Sequence, residues 1–259
     1  MTSALQRHWP EYAIEAAGLG LFMASAGLFG VLLYHPASPA VHVLPDSLGR
    51  RVVMAFAMGL TATALIYSPW GGRSGAHFNP AVTLTFLRLG KVAGWDAGFY
   101  AIAQAAGGVG GIITVAALTG GRLGHPAVGY VTTVPGAWGA GAAFVAEALI
   151  SFALMSVVLT VSNTARLARF TGLCAGALVA TWIIIEAPLS GMSMNPARSL
   201  ASALPANVWT AFWIYLTAPP LGMLLAAELH VRLGRLPVLC AKLDHGGRGR
   251  CIFRCGHTP

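Results

Sequence analysis

Two Asn-Pro-Ala triplets, Asn79-Pro80-Ala81 and Asn195-Pro196-Ala197, carry the clearest chemistry in this chain. An asparagine side-chain oxygen accepts a hydrogen bond from an orphan N–H at the start of a helix. Proline in the next position loses nothing, because its missing N–H would have gone unpaired there. Each triplet therefore predicts a helix start. With its oxygen turned to its own helix, the asparagine NH₂ is left to donate elsewhere. A helix N-terminus also carries roughly half a positive charge. Two such ends facing one another would gather donors and positive potential at one point, which attracts water or a hydroxyl and repels a cation. A single Asn-Pro also marks an ordinary turn; repetition favours the paired arrangement.

Three charged residues join them. Arg198 follows Asn195 by three positions. Its guanidinium offers five fixed donors and stays protonated, so facing a lumen it would bind passing oxygens and repel cations. The alternative is an arginine that snorkels to an interface. Glu15 and Glu147 lie inside apolar stretches, where an ionisable group is a functional candidate by position. Such a carboxylate either satisfies non-helical backbone at membrane depth or relays protons. No Ser/His/Asp set, phosphate loop or intramembrane metal cluster is evident, so neither an enzyme nor a cofactor is expected.

These residues need a frame. The chain has 259 residues, of which 56% are hydrophobic and 9% charged, against about a quarter charged in soluble domains. About 20 apolar residues span a bilayer, and six segments qualify: 12–34, 51–70, 95–118, 138–161, 168–187 and 209–231. Two shorter pieces, 79–89 and 195–203, follow segments two and five. Short interrupted segments in matching places point to a midplane site in a repeat-built membrane protein. Glu15 is followed eight residues on by Met23, and Glu147 eight residues on by Met155. Three spans per half invert the second half. The expected fold is thus all-α and membrane-embedded, with six transmembrane helices and two half-helices in an inverted repeat. The expected division is a cytoplasmic N-terminus (1–11), a channel domain (12–231, halves 12–119 and 138–231) and a basic tail (232–259).

No cleavable leader is expected, since residues 1–11 are polar and the next stretch is long enough to span. The run Gly107-Gly108-Val109-Gly110-Gly111 fits a close helix crossing. The net charge of +8 does not point to nucleic acid, because the basic residues sit between and after apolar segments. With the N-terminus inside, twelve of the sixteen Lys and Arg residues fall on the cytoplasmic side, Arg235 and Arg248 among them. That bias puts both termini inside.

The stretches Ser74-Gly75-Ala76-His77-Phe78-Asn79-Pro80-Ala81-Val82-Thr83 and Gly191-Met192-Ser193-Met194-Asn195-Pro196-Ala197-Arg198-Ser199 closely resemble the signature loops of the major intrinsic protein family, the aquaporins and glycerol channels. The resemblance covers about residues 11–231. It implies an aquaporin-like fold and, usually, a homotetramer with one pore per subunit. It implies that Glu15 and Glu147 hold the pore-loop backbone, with Gln104 bracing similarly, and that His77 lines the cytoplasmic half of the pore. A hydrogen-bonded structural histidine is the other reading of His77. Arg73 stands where the family usually has an apolar residue, and either adds charge at the inner mouth or faces headgroups.

The family sets solute choice at an outer constriction of four residues. Alignment gives Arg198, Met192 and Ile183, with Met58 on the second span; Gly59 is the alternative there. Strict water channels place a histidine where Ile183 falls and an aromatic on the second span. Glycerol channels place two aromatics around a glycine. Here the set is apolar and compliant, since methionine adapts its shape, with one donor cluster. The expected function is a passive channel for water and small uncharged solutes, with glycerol, ammonia or hydrogen peroxide as possible passengers, that excludes protons and ions. A proton-coupled transporter using Glu15 and Glu147 is the rival, disfavoured by the paired Asn-Pro-Ala elements and by the absence of further buried acids. A structural membrane protein with a closed pore is another. A chain with such short loops suggests a bacterial inner membrane.

Of the four cysteines, Cys174 is expected in the core. Cys240, Cys251 and Cys255 crowd the tail with His245 and His257. Thiolates and imidazole suit tetrahedral zinc, with Cys240, Cys251, Cys255 and His257 as the candidate set, but the Cys-x3-Cys-x-His spacing is irregular. The alternative is a disordered basic tail against anionic headgroups.

Overall fold

A backbone crossing a bilayer finds no water to bond with, and a helix satisfies it internally. In the computed structural model, which describes residues 2–234, 237–245 and 250–256, six helices are long and apolar enough to cross a membrane. In chain order, α1 (Thr2–Tyr34) is followed by short α2 (Pro39–Val43), α3 (Ser47–Tyr67), short α4 (Pro69–Ser74), half-helix α5 (Pro80–Arg88) and α6 (Gly94–Leu118). The second half repeats this order without a counterpart of α2: α7 (Gly139–Ser162), α8 (Thr171–Ile185), short α9 (Ala187–Ser190), half-helix α10 (Pro196–Ala206) and α11 (Trp213–Arg232). Within the halves α1 packs on α6 and α7 on α11, while α3 meets α8 across them. Both half-helices lie against α6 and α11. Leu21, Leu28, Leu32, Leu221 and Leu225 are exposed on the outer surface, as lipid contact requires.

The α1–α6 crossing depends on missing side chains. A Cβ on Gly107 would lie 1.9 Å from the Ala16 carbonyl oxygen, and one on Gly111 2.2 Å from that of Gly20. The run of glycines is therefore a backbone-to-backbone seam. Gly110, in the same run, meets nothing within 4 Å.

Several boundaries differ from the sequence reading. α1 begins at Thr2, so residues 2–11 continue the first span as helix instead of preceding it. Polarity marks the end of the apolar window, not of the helix. Tyr12 Oη donates to Asp96 Oδ1 at 2.5 Å, and His8 Nδ1 lies 2.8 Å from the same oxygen, which docks the extension on α6. α3 stops at Tyr67, where Ser68 caps the separate turn α4 through Gly71 N. α8 stops at Ile185, two residues short of the expected span. Cys174 is half-buried, not core. The expected absence of further buried acids is also wrong: Glu11, Asp96 and Glu186 are all buried. Glu11 accepts from Arg73 Nε at 3.0 Å, so that arginine is tied to α1.

Candidate functional site

The loops before α5 and α10 share one unusual conformation. Gly75, Ala76 and Phe78 have φ of 95°, 54° and 45°; Gly191, Met192 and Met194 have 82°, 54° and 52°. Left-handed backbone at a non-glycine residue costs on the order of 1–3 kcal/mol and persists only where the surroundings impose it. Here a buried carboxylate imposes it in each half. Glu15 accepts from the Ser74 hydroxyl (2.7 Å), His77 N (3.1 Å), Phe78 N (2.6 Å) and Gln104 Nε2 (2.8 Å). Glu147 accepts from the Ser190 hydroxyl (2.6 Å), Ser193 N (2.7 Å) and Met194 N (2.7 Å). Two tyrosines that sequence reasoning missed complete the frame. Tyr100 Oη donates to Ser74 O at 2.7 Å, and Tyr215 Oη to Ser190 O at 2.6 Å. Their matching places on spans three and six were the available signal.

The two asparagines meet. Asn79 Oδ1 accepts from Ala81 N at 2.9 Å and caps α5, and Asn195 Oδ1 accepts from Ala197 N at 3.0 Å and caps α10. Pro80 and Pro196 are the first helical residues. The NH₂ groups are not wholly left for a lumen, however. Asn79 Nδ2 donates to Met194 O at 2.7 Å, and Asn195 Nδ2 donates to Phe78 O at 2.8 Å. Each asparagine caps its own half-helix and clamps the other loop. An amide nitrogen has two protons, so each clamp uses one and leaves one.

A cavity of about 400 Å³ runs past this junction. Asn79, Asn195, His77, Arg198, Met58, Ile183 and Met192 all line it, with Phe22, Tyr34, Arg51 and Val131 among residues the sequence did not suggest. Gly59 instead faces α8, where a Cβ would lie 2.6 Å from Gly176 O. Arg198 Nη1 donates to Val131 O at 2.8 Å, which fixes the guanidinium against the loop joining the halves. His77 both lines the cavity and has its ring held: Nδ1 is 3.0 Å from Thr83 Oγ1 and Nε2 is 2.8 Å from Ala241 O. Its counterpart Ser193 is held likewise, 2.6 Å from Ser199 Oγ.

Ala241 belongs to the tail, which does not lie loose. Leu239 N donates to Asn163 Oδ1 (2.8 Å), Leu243 N to Gly75 O (3.1 Å) and Arg254 N to Lys91 O (3.0 Å). Cys240, His245, Cys251 and Cys255 converge there, their ligand atoms all within 4.8 Å of one another. His245 takes the place that the sequence offered to His257, which lies outside the described residues, as do Arg235 and Arg248. The Cys240–Cys251 contact (3.5 Å) pulls the Cys251 thiol below the usual thiol range and pushes that of Cys240 above it.

Residues 14–230 match the family model "Major intrinsic protein". A Lactiplantibacillus plantarum protein, "Glycerol uptake facilitator protein-like 6", is 38% identical over 69% of this chain and 83% of its own length. "Aquaporin NIP6-1" of Arabidopsis thaliana is 36% identical over 84% of this chain and 68% of its own. In fold, the chain is similar to the aquaglyceroporin of Plasmodium falciparum, with a TM-score of 0.74, 22% identity and coverage of 86% and 95% of the two chains. With six spans, two facing half-helices and a family match over most of its length, the chain belongs to the major intrinsic protein family, the multi-pass, non-enzymatic membrane channels for water or small solutes.

Proposed function

We propose that this protein is a passive pore for water and small uncharged solutes that turns away protons and ions. The head-to-head junction of Asn79 and Asn195 on the cavity wall carries the proposal. There the free amide protons can donate to one water at a time. Two half-helix N-termini add positive potential, the barrier ascribed to the family. Arg198 adds a fixed charge and further donors for passing oxygens. Met58, Ile183 and Met192 form the rest of the constriction, an apolar wall that favours solutes with a hydrocarbon face. Glycerol fits that chemistry, and the name of the Lactiplantibacillus relative, a glycerol uptake facilitator-like protein, supports it; ammonia and hydrogen peroxide are further passengers. His77 lines the opposite end.

The carboxylates act as braces in this reading, not as proton carriers, because Glu15 and Glu147 spend their oxygens on loop donors. Conduction requires no cofactor. The protein sits in the cytoplasmic membrane of a bacterium with both termini inside, and assembles as a homotetramer with one pore per subunit. Stopped-flow light scattering on proteoliposomes tests the function. Faster shrinkage than empty vesicles in water and glycerol gradients, without proton leak, is expected. Shrinkage at the empty-vesicle rate, persisting after any bound metal is chelated, refutes the proposal, and uphill solute accumulation would establish the transporter instead.

A further inference from the structure

We infer that Cys240, His245, Cys251 and Cys255 form a zinc site that clamps the tail across the His77 end of the pore. The ligand set comes first. Three sulfurs and an imidazole nitrogen gather on two separate tail segments. Cys240 Sγ and Cys251 Sγ are 3.5 Å apart, and His245 Nε2 and Cys255 Sγ 3.1 Å. Tetrahedral zinc at its usual bond lengths sets such ligand pairs roughly 3.5–3.8 Å apart. These two pairs lie near that spacing and all lie within 4.8 Å, so pair distances change by about an ångström at most to receive the ion. Three thiolates and one imidazole select a soft or borderline metal of tetrahedral habit, which is zinc, over magnesium or calcium. The resulting single negative charge sits beside Lys242, whose Nζ bonds Arg250 O at 3.2 Å.

The position of this cluster gives it a role. Ala241, next to one ligand, accepts from the His77 ring at 2.8 Å. Leu243, between two ligands, is buried and lines the pore cavity. Phe253, between the other two, stacks on His77 with ring centroids 5.4 Å apart and planes 13° apart. The residues that cover the mouth are thus interleaved with the residues that would hold the metal. Cross-linking the two segments removes chain entropy that otherwise opposes docking, and the free energy of metal binding becomes folding free energy of the tail. With zinc the cap is held down. Without it, hydrogen bonds to Asn163, Gly75, Lys91 and His77 and the buried Leu243 and Phe253 side chains alone hold the tail, and the mouth opens more readily.

This rests on the reading of the cavity as a conduction path, so the test separates the two. Zinc is counted by mass spectrometry on the purified full chain under reducing conditions. One zinc per chain is expected, and none in the Cys251→Ser/Cys255→Ser double variant. No stoichiometric zinc in the wild type, or full zinc in the variant, overturns the site. Water permeability of the wild type in vesicles is then read with zinc and after a membrane-permeant chelator, which needs no mutation. Chelation should raise it severalfold, and Phe253→Ala should raise it with zinc still bound. Equal permeability with and without zinc overturns the clamp. Chelated vesicles no leakier than empty ones refute the conduction reading instead, because the zinc count is made without flux.

Discussion

Substituting Asn79 separates its two jobs. Asn79→Ala removes the cap on Ala81 N and the clamp on Met194 O. The cap is worth about 1 kcal/mol. The clamp leaves a buried carbonyl without its donor, at about 1–3 kcal/mol. The sum is about 2–4 kcal/mol. For a chain of this size each kcal/mol moves the melting temperature by about 2–4 °C, so melting in detergent should fall by roughly 4–16 °C. Asn79→Ser keeps a capping hydroxyl but cannot reach Met194, and should lose only the clamp share. Both variants should conduct water more slowly, because the Met194 carbonyl and the loop that carries Met192 lose their tie across the junction. The double variant Asn79→Ala/Asn195→Ala should cost less than the sum of its singles, since both clamps hold the same two loops. Equal melting temperatures for the Ala and Ser variants, or strictly additive losses in the double, would refute the reciprocal lock.

Arg198→Ala frees the Val131 carbonyl and widens the constriction. Glycerol flux should rise relative to water and cation exclusion should weaken, and unchanged permeability in both respects removes Arg198 from the filter. Gly107→Ala drives a methyl group into the Ala16 carbonyl, whereas Gly110→Ala meets open space. The first should lower folded yield and melting temperature sharply and the second should leave both near wild type, so similar behaviour of the pair would show that the α1–α6 seam is not backbone contact. Ile183→His places a donor and a rigid, further-reaching ring on the cavity wall; glycerol permeability should fall relative to that of water, and an unchanged ratio would place residue 183 outside the constriction.

The spans were legible because lipid leaves a chain few choices: apolar length dictates a helix, and Asn-Pro dictates where the half-helices start. Their ends were less so. The ten added residues of α1 are mostly polar, and only the tertiary contact of His8 and Tyr12 with Asp96 shows why they stay helical. For the same reason the extra buried acids escaped notice. Glu11 is terminal in sequence, and its partner Arg73 lies 62 positions away. Ionisable residues near span ends carry no sequence mark that tells burial from exposure.

The two ends of the cavity differ in how far sequence could reach them, and the reason is local against tertiary order. Cap, proline and positive-φ residues are all within five positions of each asparagine, so the junction is written in one short stretch per half. The clamps are not: each bond runs between loops about 115 residues apart, and only the near-twofold repetition hinted that the loops meet. The tail has no such repetition. Its ligands lie on two segments whose spacing resembles no regular ribbon, because the fold that brings them together is supplied by the channel itself, through Asn163, Gly75, Lys91 and His77. A zinc ribbon that folds alone must encode its own turns, and so shows a regular spacing. A cluster assembled on a preformed membrane surface need not, and its irregular spacing is what that origin requires.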